Sequence, residues 1–476
     1  MKKLLLSAMA LLTAVAPALA DVDSYDYETV NGFTAKNLWI YSQYSDADNY
    51  AALPFGTTGK SRTATLYDGV VYVGDSTNDD GTIVDSDGGT IDCASIVKYD
   101  AVTGEYLGKL QVTCDGERVS GLLCANQVGI DSFGNLYMAG YSGSMAANLV
   151  VYSVDKETGV AVKEADVERT SEGRIDYCDV IGDITRSEAK AIIMAAAAPA
   201  ASTLLVYRWE AAQGGEFAAG WFSGAMESYE MSAAYPADAT TWSYAPYVKM
   251  VVGGEGVEYD AELFYIDGFA TYPTLYDING SIIDSFENAA DIAPNEAGTN
   301  GVTEVQLAGK NFILYSMNQY IAPDYCKMRF SELGDGMAFE GMAKYWDFPA
   351  EDGLGGTSDG GLRVHSIATE KVVDANGKEA VNVLTFKSCN GIGVYQVAED
   401  GYVGGVSADL ADAAVAIAVK GDAIVAEGAE AIAVYNMAGQ VVAKVAADQV
   451  AAPAAGVYVV AATVKGEKVV AKVIVD

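Results

Sequence analysis

The residue types that could do chemistry are unevenly supplied: one histidine, His365, stands among 65 Asp and Glu and six cysteines. A site built on several imidazoles is therefore excluded, and any Ser-His-Asp relay would have to use that one residue. Val364-His365-Ser366-Ile367 reads as an inward-facing strand, so a buried, satisfied imidazole is expected there, and no residue is assigned a catalytic role. The densest set of oxygen ligands is the acidic loop from Asp75 to Asp87. There Asp75, Asn78, Asp80, Asp85 and Asp87 form a weak candidate for calcium, which takes roughly six to eight such oxygens. The loop follows the calcium-loop pattern only in degenerate form, lacking its first acid and last glutamate, so a solvated turn is the first expectation. No other cofactor is expected. A pair of carboxylates for glycoside hydrolysis cannot be singled out, because spacing along so acidic a chain does not say which side chains converge. The glycines of Gly253-Gly254-Glu255-Gly256 and of the stretch Gly353 to Gly361 lack the Lys-Ser/Thr of a phosphate cradle and read as loops.

Recognition residues are better represented. The chain has 30 tyrosines, and aromatics with polar tips suit surfaces that bind sugars or proteins. Most belong to strands. The clusters Tyr41-Tyr44-Tyr50, Tyr235-Trp242-Tyr244-Tyr247 and Tyr272-Tyr276 are the first places to look for a platform. The formal charge of −36 repels phosphate backbones and anionic lipid, so nucleic acid and membrane surfaces are disfavoured as partners. Its simplest role is solubility outside the cell.

Export is written at the N-terminus. Lys2 and Lys3 precede the apolar run Leu4 to Val15, and Ala18-Leu19-Ala20 precedes Asp21, which are the three regions of a cleavable secretion signal over residues 1–20. The run is too short to span a bilayer, and no later segment is long and apolar enough, so no transmembrane segment is expected in the mature chain. Cys93, Cys114, Cys124, Cys178, Cys326 and Cys389 can form disulfides outside the cytoplasm without being needed for stability. Cys114 and Cys124, separated by a Gly-containing turn, are the one suggested pair.

The elements that must position any site come in a repeat. Thr63 to Tyr67, Val70 to Asp75, Ser95 to Asp100 and Thr103 to Leu110 are four strands joined by turns. A second copy runs through Gln127 to Asp131, Asn135 to Gly140 and Leu149 to Asp155. Weaker copies follow, with second strands assigned to Ala191 to Met194, Tyr247 to Val252, Asn311 to Tyr315 and Val383 to Lys387. Tyr72, Tyr137, Met194, Val251, Leu314 and Phe386 mark a repeat of about 57 to 72 residues, a length that suits four strands and their loops. Such units bury their faces by stacking radially, as a β-propeller of about six blades. Two packed β-sandwiches are the alternative. The last unit lacks an outer strand, and Asn37 to Tyr44 is a spare one at the other end of the repeats. Pairing them would close the ring and remove an exposed edge.

The segment Ile130-Asp131-Ser132-Phe133-Gly134-Asn135-Leu136-Tyr137-Met138-Ala139 resembles the blades of NHL-type propellers, which implies an architecture and no activity. Near Gly401 tyrosine gives way to alanine and valine, placing a boundary at about residue 405 between a propeller domain over 21–405 and a C-terminal domain over 406–476. Short β runs from Ala413 to Val475 predict a small antiparallel, immunoglobulin-like sandwich. The runs Ile432 to Val442, Ala455 to Val460 and Val470 to Val475 resemble the C-terminal sorting domain of type IX secretion cargo in Bacteroidetes. The resemblance implies a partner in the type IX machinery and delivery to the cell surface or the medium, with the periplasm as alternative. A stabilising or adhesive sandwich is the other reading of this tail. The chain thus reads as all-β and as an exported, non-catalytic binding protein with a glycan or protein ligand. A carbohydrate-active enzyme using Asp and Glu in the propeller funnel and a structural envelope protein are the rival classes.

Overall fold

The computed structural model describes residues 27–475 except 56–58, 80, 82, 85, 144–146, 169–172, 187–190, 199–202, 210–226, 231–241, 243–244, 252–262, 270, 278, 287–298, 318–325, 357–363, 375, 403–416, 421–422, 427, 437–440, 455 and 465–466. The expected signal at 1–20 and the expected boundary near 405 lie outside the described residues.

The described chain is nearly all β. Between residues 33 and 399 it forms six sheets, antiparallel except where Thr113–Cys114 runs parallel to Val160–Val167 in the second, numbered here by the order of their innermost strands: Ser61–Tyr67, Gln127–Ile130, Arg174–Gly182, Tyr247–Met250, Val302–Leu307 and His365–Val373. Each innermost strand packs against the next, and the sixth packs back on the first. That closed circuit is the arrangement of a β-propeller. The hydrophobic cores follow the same circuit. Leu149, Val151 and Ala165 of sheet two meet Ile193, Ala195 and Leu205 of sheet three, and Trp39 and Leu384 of sheet six meet Leu66 and Val97 of sheet one.

Innermost strands lack a laddered neighbour on the axial side, so side chains and loops tie one to the next. Val128 N donates to Thr63 Oγ1 at 2.8 Å between sheets one and two, and Cys178 N donates to Gln127 Oε1 at 2.7 Å between two and three. Met250 N donates to Asp179 Oδ2 at 2.9 Å and Gly301 N to Asp267 Oδ2 at 3.1 Å. His365 N donates to Asn300 O at 2.9 Å, and Ala64 N to Ser366 Oγ at 3.1 Å, which completes the circuit. Buried backbone groups need such partners, which explains polar residues inside otherwise apolar strands.

The spare strand does what its position suggested. Phe33–Ser42 pairs antiparallel with Gly391–Glu399, from Phe33 opposite Glu399 to Ser42 opposite Gly391. One assignment needs correcting. Tyr247–Met250 is the innermost strand of sheet four, and Leu263–Asp267 is its second. Inner and second strands are both covered on two faces, so their apolar patterns look alike.

Repeated turns carry the same chemistry. Asp100 and Asp155 each accept from the backbone and hydroxyl of a threonine three residues on, Thr103 and Thr158. Asp131, Asp277 and Asp374 each accept from two backbone N–H groups across a tight turn. These side chains stand in for backbone turn hydrogen bonds.

The tail forms a three-stranded sheet of Ile417–Lys420, Ala423–Ala426 and Gln449–Ala451, and a four-stranded sheet of Ala431–Asn436, Val441–Val445, Gly456–Val464 and Glu467–Val475. Ile424, Ile432, Val434, Val450 and Val460 form its core.

Candidate functional site

Residues from all six innermost strands enclose a cavity of about 440 Å³ on the axis. One side is lined by small residues: Ala64 and Thr65 of sheet one, Gly129 of sheet two, Ala368 and Thr369 of sheet six. The other carries Tyr177 and Tyr247, stacked with ring centroids 4.1 Å apart and an interplanar angle of 24°. Tyr137 leans over Gly129, its register partner, and a Cβ built on Gly129 would lie 2.3 Å from the Tyr137 hydroxyl. Glycine at 129 is thus required by the ring beside it.

Three carboxylates line this cavity, and each has partners. Asp179 Oδ1 accepts from Lys249 Nζ at 2.9 Å, while Oδ2 takes Met250 N. Glu304 accepts from the Tyr265 hydroxyl. Burial pushes the Glu304 carboxyl above its ordinary range against the opposing pull of Tyr265. Burial also raises the phenols of Tyr177 and Tyr247, which therefore stay protonated. Asp131 accepts from Phe133 N, Asn135 N and Ile184 N. A second cavity of about 350 Å³ lies between sheets four and five, bordered by Met250, Val251, Tyr265, Val305 and Met337. Lys249, Thr303 and Glu304 border both.

The acidic loop is occupied internally where it is described. Lys109 Nζ lies 2.8 Å from Asp75 Oδ2 and also pairs with Asp79. Burial opposes the charge on Lys109, but these two bonds outweigh it and raise its pKa. Asp75 is buried and accepts from Ser61 and Thr77 as well. The Asn78 amide donates to Ile83 O and Ile91 O. Asp87 is exposed, and Asp80 and Asp85 lie outside the described residues. Among the described residues, no three His, Cys, Asp or Glu side chains come together as a metal site.

His365 is buried, its Nε2 against Thr385 Oγ1; burial, then Lys387, hold its pKa well below the usual value. The imidazole is neutral at physiological pH. The suggested Cys114–Cys124 pair is not formed. Cys124 Sγ instead contacts Val119 O. The aromatic clusters are largely core: Tyr50, Trp242, Tyr247, Tyr272 and Tyr276 are buried, Tyr44 is exposed, and Tyr235 and Tyr244 lie outside the described residues. No lipase-type G-x-S-x-G was expected in this chain, yet Gly356-Thr357-Ser358-Asp359-Gly360 spells those letters. Residues 357–363, which hold most of this motif, lie outside the described residues.

The sequence pointed to a propeller funnel as a place for Asp and Glu, but not to the residues that line this cavity. The cavity's signal was present in Asp179, Lys249 and Glu304, charged residues inside otherwise apolar strands, but nothing in their spacing said that they meet.

No protein-family model matches the chain, and no curated protein sequence matches it. Solved structures with a similar fold include a DUF4623 family protein from Bacteroides eggerthii, 13% identical over 72% of this chain and 71% of that one, with a TM-score of 0.48. Others are the β-propeller domain of the Trilobed protease from Pyrococcus furiosus (10%, 74% and 97%, TM-score 0.29) and the WD40 domain of coronin from Toxoplasma gondii (10%, 81% and 91%, TM-score 0.34). These likenesses concern architecture alone, and the propeller assignment stands on the closed circuit of sheets.

Proposed function

We propose that this chain is an exported, non-catalytic binding protein whose six-bladed propeller, within residues 21–405, takes a glycan or protein group into the axial cavity. The cavity itself carries this reading. It is concave, is built by the innermost strand of every sheet, joins an aromatic wall to a few polar groups, and its carboxylates already hold hydrogen bonds. A glycan and protein binding array is the test. Thr369→Trp, which fills part of the cavity from a half-buried position, is expected to lower binding of any captured ligand at least tenfold while leaving the melting curve cooperative. Equal capture by the variant and the parent chain would move the site elsewhere.

One observation favours an enzyme instead: Glu304, with a raised pKa, and Asp179 border the same cavity. Turnover of chromogenic glycosides that disappears in Glu304→Gln would replace the binding reading with that one.

For delivery, residues 1–20 would direct the chain across the inner membrane, and an immunoglobulin-like sandwich over 406–476 would engage the type IX machinery. Two membranes call for two signals, and the sequence offers one at each end. Deleting residues 406–476 is expected to leave a folded propeller in the periplasm, because the tail has a core of its own. Normal amounts of the truncated protein at the surface or in the medium would make the tail an ordinary accessory domain.

A further inference from the structure

Resting on the reading that the axial cavity binds ligand, we infer that the ligand is a neutral amphiphile of the glycoside class. Its hydroxyl-bearing head sits on the axis, and an apolar substituent enters the cavity between sheets four and five. Three observations lead there. The two cavities share Lys249, Thr303 and Glu304 as lining, which places them side by side. The polar groups at that junction already hold partners: Lys249 pairs with Asp179, and Glu304 accepts from the Tyr265 hydroxyl. An anion would lose its hydration and would have to draw Lys249 from Asp179 to gain a partner, and the chain's −36 charge repels it further; a cation would lose its hydration to gain only carboxylates that already accept from Lys249 and the Tyr265 hydroxyl. Hydroxyl groups carry no such penalty. They can donate to Asp179 and Glu304 and accept from Lys249 and Thr303 without separating charge. Tyr177 and Tyr247 supply the aromatic edge against which a sugar ring can pack.

The third observation is the chemistry of the second cavity. Met250, Val251, Val305 and Met337 give it an apolar border, and Met337 stands at its rim, 38% exposed. A polyol alone would leave that surface wet. An alkyl or aryl group attached to the head would cover it, and methionine is an adaptable wall for such a group.

The experiment is a calorimetric titration of the full mature chain with methyl and octyl glycosides of glucose, galactose and mannose, below micelle-forming concentrations, alongside sodium octanoate and octylammonium chloride. At least one octyl glycoside is expected to bind roughly tenfold or more tightly than its methyl counterpart. Octanoate and octylammonium are expected not to saturate. Met337→Asn removes the apolar rim while suiting the left-handed backbone there, φ +66°. It should erase the octyl preference and leave methyl glycoside affinity unchanged. Equal affinity for methyl and octyl forms, or saturable binding of either charged octyl probe, overturns the inference. If an array ligand is nevertheless lost in Thr369→Trp, the axial site survives that outcome and only its ligand class changes. If neither the array nor the glycosides yield a ligand, the axial site falls with the inference.

Discussion

A mature chain shortened to begin at Tyr44 is expected to lose its cooperative unfolding transition. The missing strand, Phe33–Ser42, is the outer strand of sheet six, although it belongs to the start of the chain. Phe33, Ala35 and Ile40 lie in the core shared by sheets five and six, and Trp39 lies in the core shared by sheets six and one. Removing the strand exposes the hydrogen-bonding edge of Gly391–Glu399 together with those apolar faces, which invites edge-to-edge association. A milder form of the test is Trp39→Ala. The indole is 3% exposed, donates Nε1–H to Ala101 O at 3.0 Å, and lies against Gly104, where a Cβ would come within 2.8 Å of the ring. Its loss should cost about 3–5 kcal/mol in urea unfolding. A synthetic peptide of residues 27–44 added to the shortened chain should restore the transition. A shortened chain that melts within a few degrees of the parent would show that ring closure by this strand contributes little.

The closing strand was legible because it follows from counting: the last repeat offered one strand too few and the segment before the first repeat one too many. The ordinary strands were legible for a related reason, since Val70-Val71-Tyr72-Val73 and Leu149-Val150-Val151-Tyr152 combine β-branched and aromatic residues between Gly-bearing turns. Other features depend on which residues from distant repeats face one another. Asp179 and Lys249 are 70 positions apart and 2.9 Å apart in space, and only the angular step from sheet three to sheet four brings them together. The tyrosines misled for the opposite reason. Clustering along the chain suggested a surface platform, but adjacent residues in a strand point to opposite faces, and here both faces are covered by neighbouring sheets. Tyr276 is therefore a packing residue, while Tyr247 lines the cavity together with Tyr177, which lies far from it in sequence.

The same logic of buried polar ties between sheets predicts how stability depends on pH. Asp267 ends the second strand of sheet four and is fully buried; its Oδ2 accepts from Gly301 N at the start of sheet five. Burial pushes its carboxyl up to about 7, against the weaker pulls of Thr299, the Gly301 N–H and the Lys387 ammonium. In the unfolded chain it should titrate near the ordinary value of about 3.9. The folded state then binds the proton more tightly than the unfolded state does. Below about pH 4 both states are protonated and the group adds no pH dependence. As pH rises from about 4 to about 7 the unfolded state releases the proton first, so stability falls across that window and levels off above it. The full difference amounts to roughly 4 kcal/mol at most. Asp267→Asn keeps an acceptor for Gly301 N and cannot ionise. Urea midpoints measured from pH 4.5 to 8 should therefore fall in the parent chain relative to the variant, with the two nearest at the acid end and the variant more stable at the alkaline end. Other carboxylates contribute to both proteins alike, so the difference isolates this one. Parallel profiles would mean that Asp267 titrates at an ordinary pKa in the folded protein, and the tie between sheets four and five would then be made by an ionised carboxylate.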